Sequence, residues 1–453
     1  MTATTTPTSV LRRPYTLTTV GSWSLIFLAA FESLAVTTIM PIVTEDLDGR
    51  ALYSLAFAAV VAAGVVGMVV AGSWADSRGP AVPLLTAIGL FTAGLIIAGT
   101  ASSMGVFVAG RFLQGLGAGG QTVALYVLIA KVYPPVTHIK IFGAFASAWV
   151  LPSMVGPFAA GVVADVLSWH WVFLGVVALV AVATAMIAPA LRGHRPDTPN
   201  GPAFDGRRVT AAVIVAAAAV VLSSSSDWDR RLAWLLAPAS IAVIAIAARG
   251  LLPPGTYRAR PGLPAAVLLC AAAGAVFFGT EVYLPLLLHD RYGLPAWLSG
   301  ITLTAAAVAW ALASAIQGRL GDRLDEAKAL RAGAVLLAGG TIIVLLTAAL
   351  GLPPVMAAVG WFFGGAGMGT LYPRISTLVL ARSEPGQQGF NTSAKSIADA
   401  VGASISLALA GLVFAGLGDT TARTPYVGVL LLTSAVALSV VAIAGRAAGP
   451  GTR

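Results

Sequence analysis

Charge is what this sequence of 453 residues has least of: Lys, Arg, Asp and Glu make up 10% of it, against 58% hydrophobic residues. A water-soluble globular domain carries about 25% charged residues, so this chain cannot cover itself with polar surface. A soluble enzyme is excluded, and the composition calls for lipid as solvent. Cysteine is nearly absent as well. The single Cys270 rules out an intrachain disulfide and, within its apolar run, says nothing of redox compartment. The four histidines, His138, His170, His194 and His289, have no metal-ligand spacing, so no metal is expected. There is no Gly-x-x-x-x-Gly-Lys-[Ser/Thr] phosphate loop, which removes ATP as an energy source within the chain. The net charge of +9 invites a nucleic-acid reading, yet the cations are spread over short loops rather than gathered on one face.

What the chain does have is apolar runs. A helix needs about 20 mainly apolar residues to cross a bilayer. Runs of that kind cover 20–42, 52–74, 81–101, 106–130, 141–166 and 171–191, then two shorter ones cover 209–224 and 232–248. Six more cover 265–288, 298–317, 329–350, 354–380, 393–417 and 427–444. The expected organisation is an all-α polytopic membrane protein with 14 transmembrane helices. Its parts are a tail 1–19, a six-helix bundle 20–191, a loop 192–208, a two-helix insert 209–250, a linker 251–264, a second six-helix bundle 265–446 and a tail 447–453. Arg12 and Arg13 before the first run resemble the start of a signal peptide. The length of that run, its Glu32 and the lack of a cleavage site point to an uncleaved first helix.

Cytoplasmic loops are rich in Lys and Arg. With fourteen spans and a cytoplasmic N-terminus, 19 of the 27 basic residues fall on the cytoplasmic side, five opposite and three within spans. Dropping one of the two middle helices would invert every later loop and spoil that asymmetry. Both termini are therefore expected in the cytoplasm. The Ala- and Gly-rich composition fits a bacterial inner membrane.

The two halves also match each other in order. Pro41, Asp46 and Gly49 correspond to Pro285, Asp290 and Gly293, and Gly72 and Asp76 to Gly318 and Asp322. Gly110, Gly115, Gly117 and Gly119 correspond to Gly360, Gly365, Gly367 and Gly369, all 250 residues on, as are Pro135 and Pro385. Parallel repeats of this kind build transporters with a binding site between the halves.

Several segments carry a family resemblance. Gly72-Ser73-Trp74-Ala75-Asp76-Ser77-Arg78-Gly79 resembles the loop motif Gly-x-x-x-Asp-Arg-x-Gly-Arg-Arg of the major facilitator superfamily, with Ser77, Pro80 and Ala81 at basic positions. On the residues alone it is equally a simple turn, with Asp76 as a helix cap. Its second copy spans Gly318, Asp322 and Arg323. Arg111, Gln114 and Gly115 have the spacing of the superfamily's fourth-helix motif. Gly156-Pro157 lies in a stretch similar to the antiporter motif Gly-x-x-x-Gly-Pro-x-x-Gly-Gly, and the first span is similar to that of the fourteen-helix drug:proton antiporter branch, with Glu32 for Asp. The resemblance implies the major facilitator fold, a proton-transfer role for Arg111, and export rather than import. A structural ion pair at Arg111 and a packing kink at Gly156-Pro157 are the plainer readings.

Six ionisable residues fall well inside spans: Glu32, Arg111, Glu281, Arg374, Lys395 and Asp399. Each is a functional candidate by default, because charge in a membrane is costly. Glu32 is the first choice for a proton carrier and Glu281 the second. Lys395 and Asp399, four residues apart on one helix, can instead neutralise each other, with Arg374 as a third member. Gln121, Tyr126, Trp149, Tyr283, Trp310 and Trp361 are candidates to line a cavity, or else packing residues. The expected function is proton-coupled export of small amphipathic or cationic compounds by alternating access. The proton is the coupling ion, no cofactor is needed, and the chain acts as a monomer in the bilayer. A metabolite importer, an exporter of lipid or natural product, and a receptor on a transporter-like fold are the rivals.

Overall fold

Lipid offers no hydrogen bonds to backbone N–H and C=O groups, so a spanning segment must satisfy them internally as a helix. The computed structural model describes residues 10–11, 14–49, 52–191, 205–223, 230–294, 296–320, 323–417 and 423–449, and each apolar run above is helical in it. The helices are α1 Thr16–Asp46, α2 Tyr53–Arg78, α3 Ala81–Gly99, α4 Met104–Val132, α5 His138–Val166, α6 His170–Leu191, α7 Gly206–Ser223 and α8 Arg230–Ala247. They continue with α9 Leu263–Glu281, α10 Tyr283–Tyr292, α11 Ala296–Leu320, α12 Glu326–Leu350, α13 Pro354–Ala381, α14 Gln388–Gly416 and α15 Thr424–Ala447.

Among the described residues, 12 of these are long and apolar enough to cross a membrane, with α9 and α10 counted as one span, and α5 makes up to 13. This differs from the fourteen expected at α7. That helix forms over Gly206–Ser223 with Arg207 and Arg208 in its first turn, and the residues that follow it, 224–229, lie outside the described ones. Two further spans depart from straightness, the first of them at a proline. The ninth expected span breaks after Glu281, whose carbonyl would bond the N–H that Pro285 lacks. The two limbs of α5 meet at a bend of 48° that includes Gly156-Pro157.

The chain packs as two units, residues 1–220 with 383–393, and residues 221–382 with 394–453. In the first, α4 packs against α2 and α3, and α6 against α1 and α3; in the second, α13 packs against α11 and α12, and α15 against α9 and α12. The glycine faces repeat this correspondence atom for atom. A Cβ on Gly117 would stand 2.6 Å from the Ala87 carbonyl oxygen, and one on Gly367 would stand 2.8 Å from that of Gly333. Gly94 meets the Gln114 amide nitrogen in the same way as Gly340 meets that of Gly364. Only hydrogen fits at such positions, which lets the helix backbones touch.

Candidate functional site

In the first unit α1 carries Glu32 and α4 carries Arg111, Gln114 and Gln121 on faces turned inward. Glu32 and Arg111 are each 2% exposed, and Gln114 is fully buried. One guanidinium nitrogen of Arg111, Nη1, donates both to Glu32 Oε1 and, at 2.8 Å, to Gln114 Oε1; Nε points at the Ala56 carbonyl oxygen of α2 at 3.5 Å. The sequence-predicted acid and base are thus one buried ion pair bridging α1, α4 and α2. Gln121, two turns further along α4, donates from Nε2 to the Leu25 carbonyl at 3.0 Å. A pair like this holds charge in a place water does not reach, and a proton added to Glu32 would dissolve it while leaving Arg111 two neutral oxygen partners.

The second unit gathers Arg374, Lys395 and Asp399 differently. Arg374 donates from Nε to Gln317 Oε1 at 2.7 Å, joining α13 to α11. Lys395 donates to Ser376 Oγ at 3.1 Å, and its ammonium lies 4.4 Å from the centre of the Tyr372 ring. The hydroxyl of Tyr372 donates in turn to Asp399. Tyr372 therefore stands between the cation and the carboxylate. The Asp399 carboxylate also rests on the α9 backbone at Gly274, where a Cβ would overlap it. Glu281 ends α9 and is half-buried.

The loop residues separate. Asp76 accepts the backbone N–H of Gly389 at 2.6 Å and that of Phe390 at 2.8 Å, in the first turn of α14, a stretch that belongs to the first unit. Gly72 lies against Gly389 so closely that a Cβ would stand 2.7 Å from its carbonyl oxygen. Gly79 ends α2 with φ 81°, a left-handed conformation that glycine adopts without strain. Arg78 is exposed. Of the second copy, Gly318 is buried near the end of α11 and Arg323 is exposed, while Asp322 lies outside the described residues.

The candidate aromatics fall into packed groups. Tyr126 stacks on Phe142 with ring centres 4.7 Å apart. Trp361 stacks on Phe277 at 4.8 Å, Phe277 meets Trp310 edge-on at 5.1 Å, and Trp310 leans on Tyr372 at 5.8 Å, so a run of rings leads to Lys395 and Asp399. Tyr283 packs on Phe414. Trp149 is exposed. Sequence reading missed Gln317, Tyr372 and Ser376, which are neutral and so do not stand out in a span. It also missed what Asp46 and Asp290 do, although it paired them by spacing. Asp46 accepts from the Trp169 indole N–H at 2.9 Å and Asp290 from the Tyr426 hydroxyl, so each half ties the end of its first span to the start of its sixth.

Comparison with known proteins agrees with this architecture. The family model described as Major Facilitator Superfamily matches residues 22–407. The chain is 24% identical over 408 residues to the "Multidrug transporter protein MdtP" of Bacillus subtilis (strain 168), covering 88% of this chain and 75% of that protein. It is 22% identical over 409 residues to the "Multidrug efflux pump SdrM" of Staphylococcus aureus (strain N315), covering 88% of this chain and 90% of that one. Two other curated relatives are matched over 58% of their own length. Among solved structures, the human organic anion transporter MFSD10 superposes with a TM-score of 0.67 at 16% identity, over 93% of this chain and 98% of that one, a likeness of fold. Helical spans in two repeated units and a family match over most of the length lead to one conclusion: the chain is a multi-pass membrane transporter of small molecules, not an enzyme, and belongs to the Major Facilitator Superfamily.

Proposed function

We propose that the chain is a proton-coupled exporter of small amphipathic or cationic compounds, an antiporter of the fourteen-helix branch working as a monomer by alternating access. The observation that carries the reading is the buried pair of Glu32 with Arg111. Protonation of Glu32 removes the charge that holds Arg111, whose remaining contacts are Gln114 and the Ala56 carbonyl; loss of the proton re-forms the pair. A cationic substrate and a proton then compete for the same negative charge, which is how antiport couples one flux to the other. Export rather than import is supported by the bend that includes Gly156-Pro157 and by the relatives named as multidrug transporters. In this reading α7 and α8 both cross, the inner membrane of a bacterium is the location, and both termini face the cytoplasm.

Inverted membrane vesicles acidified inside by respiration test it, with proton release followed on adding a panel of lipophilic cations and neutral amphiphiles. The parent protein is expected to release protons with some compounds and Glu32→Gln with none. A folded, inserted parent that responds to no compound overturns the reading, and a Glu32→Gln variant as active as the parent removes Glu32 as the carrier.

A further inference from the structure

The Asp76 loop lacks basic residues where its family motif has them: Ser77, Pro80 and Ala81 occupy those positions. Ser77 is buried and bonds the Trp74 carbonyl, and Arg78 is exposed. A cation nevertheless reaches the same spot from another part of the chain. Asp205 begins α7 by accepting the N–H groups of Arg207 at 3.0 Å and Arg208 at 3.4 Å, and its carboxylate also pairs with the Arg208 guanidinium at 3.3 Å. So aimed, the guanidinium carbon of Arg208 lies 4.2 Å from the centre of the Phe390 ring. Phe390 is the residue whose own N–H is held by Asp76. Among the described residues, Lys131 of α4 and Arg208 are cations placed to attract the Asp76 carboxylate.

We infer that Arg208 is a positioning residue, a clamp by which the two-helix insert holds the first turn of α14 on Asp76. The insert is then a working part of the transporter and not a spacer. Cation and ring attract through the ring's quadrupole, and the guanidinium and the Asp76 carboxylate grip one residue from two sides.

Hydrogen exchange on the purified full chain tests the clamp without reference to transport. Arg208→Ala is expected to speed exchange of the peptide covering residues 383–393 by about fivefold. Arg208→Lys restores part of the protection and the exposed neighbour change Arg207→Ala leaves it unaltered. Phe390→Leu is expected to match Arg208→Ala, and the double variant to exchange no faster than either single one. Unchanged exchange in Arg208→Ala, or additive effects in the double variant, overturns the clamp. The consequence for transport rests on the export reading: Arg208→Ala changes the turnover of proton release in vesicles and leaves the half-saturating compound concentration alone. A parent that transports nothing while the exchange pattern holds refutes export and not the clamp.

Discussion

A guanidinium has five N–H donors, and Arg111 places three of them on a carboxylate, an amide oxygen and a backbone carbonyl drawn from three helices. Removing one member of such a buried pair costs about 3–5 kcal/mol, because the other charge is left where nothing solvates it. Arg111→Gln is therefore expected to lower the unfolding temperature of the purified protein markedly. Adding Glu32→Gln to that variant should return part of the loss, since two neutral amides can bond each other. A double variant less stable than Arg111→Gln alone would show that the two side chains do not depend on one another. Glu32, Arg111 and Gln114 were all visible in the sequence, as polar residues interrupting apolar runs or matching a motif. Their partnership was not, since 79 residues separate Glu32 from Arg111 and nothing local sets which helices meet. Arg208 was hidden for a different reason. At the edge of a span it reads as an ordinary loop cation, and only the position of Phe390 gives it a task.

At the scale of the helix, glycine decides which faces approach. Gly117→Ala would push a methyl to within 2.6 Å of the Ala87 carbonyl oxygen, and Gly367→Ala to within 2.8 Å of that of Gly333, so both are expected to reduce folded yield and melting temperature. Gly175 in α6 meets nothing within 4 Å. There Gly175→Ala should stabilise slightly, by up to about 1 kcal/mol, through helix propensity alone. Thermal melting of the three variants side by side checks the contrast, and a Gly117→Ala protein as stable as the parent would contradict the close packing of α3 on α4. The pattern of these glycines was legible from spacing, and the helices they bring together are those the repeat implies. The break in the ninth span was not foreseen, although Pro285 stands in it, because hydropathy counts proline's side chain and ignores its missing donor. The shortness of α7 was legible as a shorter apolar run, 209–224, and its described helix ends at Ser223.

For the whole molecule the open arithmetic is the number of crossings, and the scarcity of cysteine makes it measurable. Cys270 is fully buried, so an impermeant maleimide has little to react with in the parent. Single cysteines at Ser102, His289 and Arg323, all exposed positions, then report their side of the membrane. With fourteen crossings, Ser102→Cys and His289→Cys react in intact cells and Arg323→Cys reacts only after permeabilisation. If α7 does not cross, Ser102→Cys still reacts but the other two exchange behaviour. Outcomes at three sites thus separate an even count from an odd one without a structure.

The glycine contacts also keep a record of how the chain was assembled. Corresponding residues lie 244 positions apart in the first span of each half, 246 in α2 with α11 and α3 with α12, and 250 in α4 with α13. At the matched positions each helix keeps one offset, so the differences in length between the halves fall between the matched stretches. The reason is angular. One residue inserted within a helix would turn everything beyond it by about 100° and carry its glycines away from the backbones they touch. Connections could lengthen freely, while the helical register was inherited intact, which is why two halves with few identical side chains still align without a gap inside any of these helices.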